Sequence, residues 1–166
     1  NEITGAVHVG TNTSTPVGQA NVTVPERTFI FLQVANVSFG NLDPQHTNNT
    51  EISRITGAFP FILRNDGTVN VNVTIGATDL FTNAPNPSAN YQFNSSTNES
   101  GSVVNGTLDL HGWTNMATTG APTTLITNFK FPAAFDQAEI NINVTTPSDE
   151  AAGTKNSIVT FTATKA

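Results

Sequence analysis

The chain has 166 residues, of which 37% are hydrophobic and only 11% charged, with a net charge of −6 at pH 7 and no cysteine. That length accommodates one sizeable core, and eleven Phe supply enough apolar surface to exclude a disordered chain. Six Lys and Arg leave no basic patch for nucleic acid, and the lack of cysteine removes both disulfides and thiolate metal sites.

The first segment, Glu2 to Gly10, alternates so that Ile3, Gly5, Val7 and Val9 share one face, and the polar run Thr11 to Pro16 follows it. Such an amphipathic strand can pair within its own domain, or it can enter an open groove of a neighbour and supply backbone hydrogen bonds and apolar side chains. Gly5 would let the donor backbone approach a shallow pocket. Because donor face and acceptor groove are different surfaces, the second case gives a heterologous contact that propagates instead of closing. A chain starting at Asn1 without Met fits an exported precursor whose signal peptide has been removed. No stretch approaches the roughly 20 apolar residues of a membrane span, and the long apolar N-terminal helix of type IV pilins is missing.

Beyond it, nearly every segment alternates as a strand does. The pattern predicts strands over 22–24, 29–34, 35–39, 59–63, 69–75, 125–131, 140–145 and 158–164, separated by Gly, Pro and Asn turns such as Asn65-Asp66-Gly67 and Pro147-Ser148-Asp149. Phe59 to Ile75 reads as a hairpin across Asn65-Asp66-Gly67. The Phe-x-Phe pairs Phe29/Phe31, Phe59/Phe61 and Phe129/Phe131 are expected in the core, and Trp113 is expected to anchor it. Residues 83–105 are expected to form a long polar loop around the short segment Tyr91-Gln92-Phe93. Short strands at regular spacing point to an all-β protein, an antiparallel β-sandwich of the immunoglobulin or jelly-roll kind. Residues 1–16 form the N-terminal strand and its linker, and residues 17–166 the sandwich domain.

Nine N-glycosylation sequons begin at Asn12, Asn21, Asn36, Asn48, Asn72, Asn94, Asn98, Asn105 and Asn143, against about five expected by chance at this Asn, Ser and Thr content. In Val69 to Ile75 and Ile140 to Thr145 the sequon residues alternate with apolar ones, which places Asn72 and Asn143 on the polar faces. Covalent N-linked glycans and an extracellular location are therefore expected, and the few carboxylates suit an acidic exterior. Asn105-Gly106 is a deamidation-prone pair.

Catalytic signatures are weak. His8, His46 and His111 have no ligand spacing, Asn65-Asp66-Gly67 lacks the remaining ligands of a calcium loop, and Asp149-Glu150 is expected to be solvated. No Gly-x-Ser-x-Gly elbow, Walker loop or zinc signature occurs. The sequence is read as a non-enzyme with neither catalytic nor metal residues and no cofactor.

Val37-Ser38-Phe39-Gly40-Asn41-Leu42-Asp43-Pro44, Asn65-Asp66-Gly67-Thr68-Val69-Asn70-Val71-Asn72-Val73-Thr74-Ile75, and Pro147 to Thr154 leading into Ile158-Val159-Thr160-Phe161-Thr162-Ala163 form a set. With the N-terminal strand and the sequons, these pieces resemble subunits of archaeal donor-strand pili: the glycosylated threads of thermoacidophiles and the bundling pili related to bacterial biofilm-fibre proteins. The resemblance implies a head-to-tail homopolymer on the cell exterior, serving adhesion or biofilm cohesion, with Ile3, Gly5, Val7 and Val9 as donor residues. Strands around Phe29 to Val34 and Ile158 to Thr164 are candidate walls of the acceptor groove. Two other readings are a carbohydrate-binding module using Trp113 or Tyr91 as a stacking platform, and a surface-layer domain.

Overall fold

The computed structural model describes residues 20–53, 58–99 and 112–166. The predicted strand at Ile3 to Val9, the sequons at Asn12 and Asn105, and the histidines His8 and His111 lie outside the described residues. Nine strands and one turn of helix follow in the order β1 (Ile30–Val34), β2 (Thr47–Asn49), α1 (Thr50–Ser53), β3 (Phe61–Asn65), β4 (Val71–Ala77), β5 (Tyr91–Thr97), β6 (Thr114–Asn115), β7 (Thr123–Phe129), β8 (Gln137–Thr145) and β9 (Val159–Lys165).

Two antiparallel sheets enclose one core. The larger sheet has the order β1-β3-β8-β5-β6, with β2 also pairing β8, and the smaller is β7-β4-β9. Val71, Val73 and Ile75 of β4 are fully buried and pack with Leu63 of β3, Phe93 of β5, and Ile140 and Ile142 of β8. Alternation works here as the sequence predicts: in β4 the intervening Asn72 and Thr74 are only half-buried. An all-β, antiparallel sandwich is the architecture.

β3 and β4 do not form the expected hairpin. β3 pairs with β1 and β8, whereas β4 pairs with β7 and β9 in the other sheet, so the intervening turn is a corner that carries the chain across the sandwich. Both flanking strands bury an apolar face, and placing them in opposite layers lets those faces meet. Asn65 holds the corner: its buried amide donates to the carbonyls of Val69 and Phe129, and its Oδ1 accepts the Gly67 N–H. Gly67 is required by close approach rather than by a hairpin's backbone. A Cβ there would lie 2.3 Å from the Arg27 carbonyl oxygen, and among the described residues the glycines with positive φ are Gly40 and Gly153.

Other expectations fail for equally local reasons. Residues 22–24 are exposed coil, and 35–39 form no strand although Val37 and Phe39 rest against the core. Of the Phe-x-Phe pairs only Phe61 and Phe129 are buried. In β1 it is Ile30, Leu32 and Val34 that face inward, which turns Phe29 and Phe31 outward; Phe59 precedes β3 and Phe131 follows β7, beyond the ladders that would fix their faces. Trp113 is half-buried outside the core, where Met116 occupies the interior instead. The supposed long loop contains β5, whose polar second half, Asn94 to Thr97, shows no alternation yet pairs fully with β8.

Replacing Leu63 by Ala should lower the unfolding free energy by about 2–5 kcal/mol. Phe131→Ser should change it by no more than about 0.5 kcal/mol. Denaturant titration of both variants checks the assignment, and equal losses would contradict it.

Candidate functional site

Along one side of the sandwich both layers end, among the described residues, in a strand with a single neighbour. β1 is the outer strand of the larger sheet and β9 the outer strand of the smaller. The two flank the same stretch of core: Phe61 of β3 meets Phe161 of β9 edge to face at 5.7 Å between ring centroids, and β3 is the neighbour of β1. The lower ends of β1 and β9 are tied together, since Lys165 pairs with Glu26 just ahead of β1. The opposite side is different. There the chain passes from β6 into β7 across the gap, and Ala77 of β4 takes the Ala117 carbonyl as its acceptor.

The side chains along the open side are apolar and incompletely covered. Ile30 and Leu32 from β1, and Val159, Phe161 and Ala163 from β9, are packed against the core but only partly buried. Ile158, just before β9, is 71% exposed. These residues fall in the two segments that the sequence marks as candidate groove walls. What the site offers, among the described residues, is a strand edge in each layer bordering an apolar strip, the kind of template that another strand pairs with.

The sequons divide into three groups. Asn21, Asn36 and Asn98 are exposed, and Asn48 and Asn72 are half-buried. Asn94 and Asn143 are each only 7% exposed, which corrects the expectation that the polar face of β8 meets solvent. The cause is the segment from β2 into α1, which folds against β8. Thr50 Oγ1 donates to Asn141 Oδ1 at 2.8 Å and accepts the Ile142 N–H at 3.0 Å, while Glu51 accepts from the Asn94 amide at 2.7 Å. The Asn143 amide nitrogen is likewise committed, donating to Gln92 Oε1 at 3.0 Å. A glycan is attached through that nitrogen, so neither site is available once the domain has folded.

Several charged groups are engaged within the fold. Glu150, expected to be solvated, is enclosed: its carboxylate pairs with Lys155 and accepts the backbone N–H groups of Thr82 and Asn83. Those contacts, Lys155 first, hold its pKa below the usual carboxylate range. Arg64 grips Asp66 through two guanidinium hydrogen bonds, with Nη2 donating at 2.7 Å to Oδ2, and lowers the Asp66 pKa in the same way. Asp136 goes the other way, raised by burial and by the neighbouring Glu99. Among the described residues no three His, Asp or Glu side chains gather as a metal site. A shallow depression lined by Ser38 to Leu42, Asn48 and Ala58 holds no titratable group. Tyr91 is buried and cannot serve as a sugar platform, and Trp113 is half-covered. Comparison of the chain with protein-family models, with curated proteins and with solved structures finds no match.

Two outcomes follow from this geometry. Glycopeptide mapping of the native protein should find sugar at Asn21, Asn36 or Asn98 and bare Asn94 and Asn143; glycans on the latter pair would mean that attachment precedes folding. For Glu150, whose folded pKa is lowered, the stabilisation is present above its unfolded pKa and is lost as pH falls through the folded value. Glu150→Gln should therefore lower the melting temperature at pH 7, with the difference from wild type closing in strong acid; a constant difference across that range would contradict it.

Proposed function

We propose that the chain is a structural subunit of an extracellular glycosylated filament, in which the N-terminal strand of one copy completes the fold of the next. One observation carries this reading. Among the described residues the sandwich ends in two outer strands, β1 and β9, on the same side of a core that they leave partly uncovered. A strand laid there gains ladder hydrogen bonds, and its inward side chains join the apolar strip. Ile3, Val7 and Val9 supply three such side chains, each contributing on the order of 1.5–3 kcal/mol on burial, and Gly5 fits where the groove is shallow. An amphipathic strand separated by a polar linker from a domain with an incomplete side is the combination that strand exchange needs. A donor face and a groove on different surfaces cannot close on themselves as a two-fold dimer does, so the contact repeats into an open chain. The exposed sequons fit a surface that is solvated by sugars and amides more than by ions. Adhesion or cohesion between cells is the role that such a fibre would serve.

The same groove could be filled by the chain's own first strand, and the test separates the two cases. Because the sequence has no cysteine, Val7→Cys can be combined in turn with Val159→Cys and Ala163→Cys. Oxidation of the assembled protein should give a ladder of covalent oligomers on a denaturing gel, and deletion of residues 1–10 should abolish polymers and destabilise the monomer. Disulfides confined to single chains at every concentration would overturn the filament reading. Electron microscopy of the native material separates a fibre from the two-dimensional lattice of a surface layer.

A further inference from the structure

The two ends of the sandwich differ in chemistry. Strand register defines them: the start of β1, the corner at 66–70, the β7–β8 connection and the last residues of β9 lie at one end, since Ile30 pairs with Asn65 and Val71 pairs with both Phe129 and Lys165. The β4–β5 and β8–β9 connections lie at the other, where Ala77 pairs with Val159 and Tyr91 with Val144.

At the first end Phe29, Phe31, Phe131 and Phe135 are 39–45% exposed. Three carry a cation over the ring: Arg27 at 4.5 Å from the Phe29 centroid, Lys130 at 5.1 Å from that of Phe135, and Arg64 at 5.6 Å from that of Phe31. With Lys165, four of the chain's six Lys and Arg gather here. The carboxylates of this end are already engaged. Asp66 holds Arg64, Glu26 holds Lys165, Glu99 accepts the backbone N–H groups of Asp136 and Gln137, and Asp136 is buried. Arg27 and Lys130 instead lie over exposed rings, where they can still meet a carboxylate from outside. Among the described residues the second end is more acidic: Asp43, Asp79, Asp149 and Glu150 stand there with one cation, Lys155, which Glu150 occupies, whereas the first end has four cations and four carboxylates. The side chains of Asp43 and Asp149 are exposed.

We infer that the aromatic, cation-bearing end is a docking surface for the acidic end of a second copy of this chain. Exposed aromatics with cations at their rim form the kind of patch that protein interfaces use as an anchor, and the acidic end is its electrostatic complement. The chain path agrees. Residues 25–27 are pinned at the aromatic end through the Thr68 bonds to the Arg27 N–H and the Pro25 carbonyl, so the chain enters β1 from that end. The open side between β1 and β9 meets the acidic end at exposed Ile158. On the filament reading, a segment passing from the aromatic end of one copy to the acidic end of the next would run parallel to β1 and antiparallel to β9. The inference rests on the filament reading and adds the second contact that sets the two bodies end to end.

The test uses the full chain and follows fibre growth by light scattering and electron microscopy in about 0.15 M salt, where surface charges still act over about 8 Å. Two variants are compared, Arg27→Glu with Lys130→Glu, and Asp43→Lys with Asp149→Lys. Each alone places like charges across the junction and should slow growth by about tenfold or more; an equimolar mixture, which restores opposite charges at every junction, should recover the wild-type rate. Normal melting of each variant shows that its fold is intact. Wild-type growth with unchanged variant rates, or slowed variants that the mixture does not rescue, overturns the docking surface and leaves the strand exchange standing. A wild-type chain that forms no fibres overturns both.

Discussion

The constraint on which the rest depends is that the two layers finish on the same side, with no described residue crossing between them. A sheet edge leaves backbone donors and acceptors unsatisfied, and in a sandwich it also leaves the core open wherever both layers stop together. On the β6–β7 side the chain itself crosses the gap. On the β1–β9 side the described residues offer no crossing, and Ile30, Leu32, Val159 and Phe161 remain half-covered.

Much of the fold was legible because burial on one face of a strand writes a period of two into the sequence. Val69 to Ile75 and Ile140 to Thr145 announced β4 and the second half of β8, and Ile158 to Thr164 announced β9. The signal fails where both faces are covered. β8 is buried along its length: Asn141, which mimics a solvent face, lies beneath Thr50, 91 residues away in the chain, and Asn143 bonds to Gln92 of β5. It fails again where a strand is held by its neighbours more than by its own side chains, as in β5, whose Asn-Ser-Ser-Thr run reads as loop. Parity alone also cannot say which side of β1 faces inward, and taking Phe29 and Phe31 as the inner residues put the aromatic patch in the wrong place.

The candidate site was legible in its walls and not in its chemistry. The segments around β1 and β9 could be proposed because both are rich in apolar residues. Their meeting on one side required the sheet order. The Glu150–Lys155 clamp and the Asn65 corner gave no sign in the sequence beyond ordinary turn composition, because their partners, the N–H groups of Thr82 and Asn83 and the carbonyl of Phe129, are backbone atoms that any residue could supply.

β9 lies against β4 over seven consecutive register pairs, from Val71 with Lys165 to Ala77 with Val159. Tension applied along the strand axis, between one extremity of the body and the other, loads all those pairs together in shear, and none can part before its neighbours begin to slide. A pull perpendicular to the strands would peel the same ladder one rung at a time. The molecule is thus mechanically anisotropic, stiffest in the direction that joins its two ends.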